Sequence, residues 1–100
     1  PAIRIGALEV VPAARSATMA GATLELTARE YALLAMLVRH PGRAYSREQL
    51  EAALYGWDQE VASNAVEVHI HHLRQKLGPG WIETLRGIGY AINPRVERGT

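Results

Sequence analysis

Residues 63 to 77, SNAVEVHIHHLRQKL, constrain the fold more than any other stretch of this chain. At a helical step of about 100° per residue, Val66, Ile70, Leu73 and Leu77 fall on one narrow apolar stripe, which must be buried against a core. Opposite it stand Asn64, Val68, His71, His72 and Gln75, with Arg74 and Lys76 on the two flanks. A polar stripe taken alone is most often the solvated side of an amphipathic helix. Water, however, gives no reason for Val68. Amides and imidazoles that can meet base edges, a valine that can meet a thymine methyl and cations that can meet phosphates point instead to the major groove of a nucleic-acid duplex.

One hundred residues, 48% hydrophobic and 21% charged, predict a single globular domain with a small core. No apolar run approaches a membrane helix, and PAIRIGALEV carries neither a basic leader nor a cleavage pattern, so a cytoplasmic chain with no membrane partner is expected. Cysteine is absent, which excludes disulfides, thiolate zinc sites and cysteine nucleophiles. The net charge of +1 names no partner by itself. Its distribution is more informative. Residues 1 to 60 carry six Arg against seven Asp plus Glu, whereas residues 61 to 100 carry five basic and three acidic groups and three of the four His. A counterion-releasing contact would come from the second half.

Along residues 1–26 the runs IRIG, LEVV, ATMAG and ATLEL, punctuated by Gly6, Pro12 and Gly21, predict a small antiparallel meander of three or four strands. So thin a sheet needs a helix over its apolar face. Thr27 and Glu30 form a capping box that opens a helix running to about His40, with Tyr31, Leu33, Leu34, Ala35, Leu37 and Val38 giving it a broad apolar arc. Pro41 and Gly42 stop it. A second box, Ser46 and Gln49, begins a helix that buries Leu50, Ala53 and Leu54 and ends near Tyr55 and Gly56. Trp57 to Ala62 reads as an exposed acidic loop, in which Trp57 either folds back as satellite core or meets another protein. After Leu77 the cluster Gly78, Pro79, Gly80 ends the third helix. WIETLR and YAIN, joined through Gly87, Ile88 and Gly89, then read as a hairpin with Arg86 at its tip, able to enter a minor groove. Residues 95–100 read as a frayed tail.

The motifs LTAREYALLAML with HPGRAYSREQL, then SNAVEVHIHHLRQKL, then IETLRGIGYAI, stand in an order and spacing that resembles the winged-helix effector domain of bacterial two-component response regulators, the OmpR/PhoB family. The resemblance covers nearly the whole chain. It implies an α+β winged helix-turn-helix: an N-terminal four-stranded antiparallel sheet over 1–26, a three-helix core over 27–77 with the recognition helix at about 63–77, and a C-terminal β-hairpin wing over 81–93 that pairs with a further strand near residues 44 and 45. It implies sequence-specific binding of double-stranded promoter DNA, with Asn64, Glu67, Val68 and His72 facing bases. Arg47, Tyr55, His69, His71, Arg74, Lys76, Thr84, Arg86 and Tyr90 would meet the backbone or the groove rim. The loop with Trp57, Asp58, Gln59 and Glu60 corresponds to a segment that touches RNA polymerase in family members. A receiver domain, not contained in these residues, would lie N-terminal of Pro1 in the full-length protein. It would pair two copies head to tail on direct repeats about one helical turn apart, the isolated domain being a monomer. Where other members carry arginine at positions 64, 71 and 72, this chain has Asn, His and His. That substitution predicts altered base preference, weaker binding at neutral pH, and tighter binding with a steeper salt dependence at mildly acid pH, carried by His69 and His71.

Other classes find less support in the residues. Ser16, Ser46 and Ser63 have no nucleophile setting, and the GIG of the wing is followed by no helix, so neither catalysis nor a dinucleotide cofactor is expected. His69 and His72 are three apart, a spacing that could share a metal ion with Glu67, but no cysteine or third ordered ligand accompanies them and no metal is expected. The same fold can also serve protein recognition alone, which is the competing expectation.

Overall fold

The computed structural model describes residues 1–56 and 64–93. Four short strands come first: β1 (Ile3–Ile5), β2 (Leu8–Val11), β3 (Ser16–Met19) and β4 (Ala22–Thr23). They pair antiparallel in sequence order, with Ile5 opposite Leu8 and Val10 opposite Ala17. Those four residues are all buried, so one face of the meander is apolar and packed while Arg4 and Glu9 bridge across the other at 3.2 Å. The last strand is shorter than the alternation of Leu24 and Leu26 suggests. Both leucines lie beyond it, half-buried against the core in the approach to the first helix.

Helix α1 (Ala28–Val38) starts where its capping box places it. Thr27 Oγ1 accepts from the Glu30 backbone N–H at 3.1 Å, and Glu30 Oε1 accepts from the Thr27 N–H at 3.0 Å. Tyr31, Leu33, Leu34, Ala35, Leu37 and Val38 are all buried, so this helix is the centre of the core. It ends with Arg39 as C-cap, a residue or two before His40. Helix α2 (Arg47–Tyr55) starts with the reciprocal bonds of Ser46 and Gln49, at 2.8 and 3.1 Å. Leu50 is buried and Leu54 half-buried, but Ala53 faces solvent, contrary to the expectation that it would join the buried side. Nine residues turn only two and a half times, and a helix packed along one edge buries a narrower stripe than the periodicity allots.

Helix α3 (Ala65–Leu77) inserts Val66, Ile70, Leu73 and Leu77 into the core, each 5% exposed or less. Burial of four such side chains contributes on the order of 1.5–3 kcal/mol apiece, enough to fix the rotation of the helix about its own axis. A hairpin follows, β5 (Ile82–Leu85) with β6 (Gly89–Ile92), turning through Arg86, Gly87 and Ile88. The expected pairing with residues 44 and 45 is present. Tyr45 and Tyr90 exchange both backbone bonds, N to O at 2.8 and 2.9 Å, so the hairpin is stitched to the segment between α1 and α2. Gly89 makes this possible, since a Cβ there would collide with the Tyr45 carbonyl.

Candidate nucleic-acid interface

With its apolar stripe buried, α3 presents three parallel rows outward. Asn64, Val68, His71, His72 and Gln75 form the central ridge, all exposed, and Val68 and wing-tip Ile88 are the exposed large hydrophobic residues among those described. Val68 is 39% exposed between these amides and imidazoles.

The second row faces the wing. Glu67 lies 3.8 Å from Arg47 Nε at the start of α2, and Arg47 also lies within 3.8 Å of Glu48 and 3.7 Å of Glu51. Arg47, Glu67, Thr84, Arg86, Ile88 and Tyr90 border an open cleft of about 260 Å³ between the helices and the wing. Arg74, on the same row, donates from Nη2 to the Ile82 carbonyl at 3.0 Å and to Thr84 Oγ1 at 2.6 Å, and its guanidinium stands over the Tyr90 ring. That side chain ties helix to wing and has few donors left for a ligand. Arg86 makes no hydrogen bond or ion pair among the described residues and is exposed at the hairpin tip.

The third row faces α1. Lys76 Nζ bonds Glu30 Oε1 at 2.5 Å, and His72 Nδ1 stands 3.7 Å from Glu30 Oε2. Glu30 is only 3% exposed, the one buried charged residue among those described. Burial pushes its carboxyl pKa up. The Lys76 hydrogen bond, the Thr27 backbone N–H and the charges of Lys76 and His72 more than reverse that, so the net shift is downward from 4.5 and the group is a carboxylate. His69 Nε2 and the Tyr55 hydroxyl share a 2.7 Å hydrogen bond at the end of α2. Burial lowers the His69 pKa below 6.5, Glu30 opposes the shift, and Arg29 and His72 reinforce it. His69 is therefore neutral at pH 7.

All the helix and wing residues singled out in the sequence come together around this surface, apart from Trp57, Asp58, Gln59 and Glu60, which lie outside the described residues. Arg74 and Lys76 each hold a partner within the fold as well, and His69 is half-buried and hydrogen-bonded to Tyr55, which conflicts with the acid-strengthened contact expected of it. Glu30 as an internal counter-charge and Arg29 stacked on Tyr55 were not visible in the sequence, because their partners lie 46 and 26 residues away. No group of described residues could hold a metal ion. No described helix is long and apolar enough to cross a membrane.

Three helices, the second and third forming the helix-turn-helix pair, with a hairpin wing and an N-terminal four-stranded sheet define a winged helix-turn-helix. The chain belongs to the OmpR/PhoB-type family described as "Transcriptional regulatory protein, C terminal", whose model matches residues 21–92. It is 52% identical over 93 residues to the response regulator protein PmrA of Pseudomonas aeruginosa and 50% identical over 93 residues to the transcriptional regulatory protein QseB of Escherichia coli O157:H7. Each match covers 93% of this chain and 42% of the relative, so the chain spans less than half the length of these relatives. Among solved structures, the DNA-binding domain of CpxR from E. coli superimposes with a TM-score of 0.82 at 37% identity, covering 93% of this chain and 96% of that one. The Klebsiella pneumoniae RstA DNA-binding domain, solved in complex with the RstA box, gives 0.83 at 30% identity, covering 93% and 97%.

Proposed function

We propose that this chain is the output domain of a two-component transcriptional regulator and binds double-stranded DNA sequence-specifically, with α3 in the major groove and the wing in the adjacent minor groove. The observation that carries the reading is the ridge of Asn64, Val68, His71, His72 and Gln75, held outward by the buried stripe of the same helix. The RstA domain solved with its DNA box, similar over nearly the full length, supports it. Asn64, Val68 and His72 read base edges, and Glu67 accepts from a cytosine amino group at the wing side of the groove. Arg47, Tyr55, His69, His71, Thr84, Arg86 and Tyr90 meet sugar and phosphate, His69 and Tyr55 as neutral hydrogen-bonding groups. Arg74 and Lys76, each with donors beyond its bond within the fold, approach the groove rim.

In the full-length protein a receiver domain precedes this one and pairs two copies head to tail on direct repeats, while the isolated domain is a monomer. The segment with Trp57, Asp58, Gln59 and Glu60 contacts RNA polymerase, the protein works in the cytoplasm, and it catalyses no reaction. The deciding experiment is selection of bound duplexes from random DNA, followed by titration of the recovered site with salt. A recovered consensus whose affinity falls linearly with log salt supports the reading. A chain that recovers no consensus and ignores duplex in dilute buffer is a protein-recognition module instead.

A further inference from the structure

The positive groups around α3 divide between its two borders. On the wing border Arg47 stands among three carboxylates and Arg74 is bonded to β5, which leaves Arg86 without an ion pair among the described residues. On the α1 border Lys76 is bonded to Glu30. There, Arg29 in the first turn of α1 is exposed and has no carboxylate partner among the described residues. Its guanidinium lies 4.0 Å from the centroid of the Tyr55 ring, and Tyr55 in turn holds His69 through its hydroxyl at 2.7 Å. Three helices thus converge on a cation one ring away from the ridge.

We propose that Arg29 is a further DNA-phosphate contact, gripping the strand that borders the major groove on the side away from the wing. The inference rests on the DNA-binding reading above. A helix with its side chains is about 10–12 Å across and the groove it enters is about 12 Å wide, so residues just beside the helix, as well as those on its flanks, come up against the bordering strands. Arg86 serves one border and Arg29 the other. Stacking uses the face of a guanidinium and leaves the N–H donors along its edge, so the Tyr55 ring positions Arg29 without consuming what a phosphate needs. The carboxylate of the next residue does not cancel the charge, because Glu30 turns inward to cap α1 and meet Lys76.

The test compares the unaltered domain with Arg29→Ala, Arg29→Gln, Arg29→Lys and, as a control on the distant sheet, Arg4→Ala, measuring affinity for the selected duplex and for random duplex across a salt series. One lost phosphate contact reduces the slope of log K against log salt by about 0.9 and weakens binding roughly five-fold near 0.15 M salt. That outcome for Ala and Gln, equal on both duplexes, with Lys and the Arg4 variant near the unaltered slope, supports the proposal. Weakened binding with an unchanged slope means that Arg29 only braces Tyr55, and overturns it. Gln keeps a planar group that can still lie on the ring, so a fall in helix stability in the Ala variant does not obscure the result. Should the unaltered domain show no salt-dependent duplex binding, the DNA reading itself fails and this inference with it.

Discussion

Lys76 on the third helix and Glu30 on the first are joined at 2.5 Å across 46 residues of sequence, and the carboxylate they share with the Thr27 backbone is sealed from solvent. One group thereby caps α1 and sets the lateral position of α3. Lys76→Ala leaves that carboxylate buried without its cation. The expected loss is about 1–2 kcal/mol, below that of a fully buried pair because the Lys76 side chain remains 35% exposed. Glu30→Gln, which retains the capping geometry, loses less. Urea denaturation of the two variants checks the order. Because the Glu30 pKa is depressed in the folded state, its contribution is present above about 4.5 and disappears as pH falls through the lower folded value, so the unaltered protein loses this stability in acid while Glu30→Gln does not.

His69 shifts in the destabilising direction. Its folded pKa lies below 6.5, so the unfolded chain binds the proton more readily, and the stability from a neutral His69 is complete above 6.5 and declines as pH drops below that value. Proton NMR titration of the histidines should find the His69 ring titrating below 6.5. Tyr55→Phe, which removes the bond to Nε2 but keeps the ring, should shift that midpoint. On DNA, replacing His69 should leave intact any strengthening of binding at mildly acid pH.

Gly89 cannot accept a side chain. A methyl group there would enter the Tyr45 carbonyl, so Gly89→Ala must break the Tyr45–Tyr90 bridge or displace the hairpin. A destabilisation of about 2 kcal/mol or more is expected, together with faster hydrogen exchange at the Tyr45 and Tyr90 amides. Unchanged exchange at those two amides would show that the bridge does not hold the wing.

Asn64 and Arg86 should fail differently on DNA. Asn64→Ala is expected to cost roughly 1–3 kcal/mol on the selected site and little on random duplex, since it removes a base-edge contact. Arg86→Ala should weaken both to a similar degree, since phosphates and groove potential are independent of sequence. Competition binding with the two duplexes distinguishes these patterns, and equal losses for Asn64→Ala would remove its base-reading role.

What could be read from the residues alone was what short-range physics decides. Thr27 with Glu30 and Ser46 with Gln49 fix two helix starts because capping is settled within four residues, and the spacing of Val66, Ile70, Leu73 and Leu77 fixes the buried side of the third. The hairpin was legible in WIETLR and YAIN with the glycines between them, and its pairing near residues 44 and 45 through the family likeness. What escaped were destinations of long side chains. Lys76 and Arg74 look like outward cations on a helical wheel, but the wheel does not say that a buried carboxylate and a strand carbonyl lie within their reach. Ala53 escaped for the related reason that periodicity gives the direction of a buried stripe and not its width. The loop at 57–63 and the tail at 94–100 fall outside the described residues.

Helices α1 and α2 each close their first turn with a side chain, whereas α3 begins at Asn64 with no such bond from its amide. An uncapped start forgoes roughly 1 kcal/mol of intrinsic helix stability. Under the proposed base-reading role, that amide is kept for an adenine edge rather than for its own helix. A variant engineered for thermal robustness at this position would then gain in melting temperature what it loses in discrimination between operators.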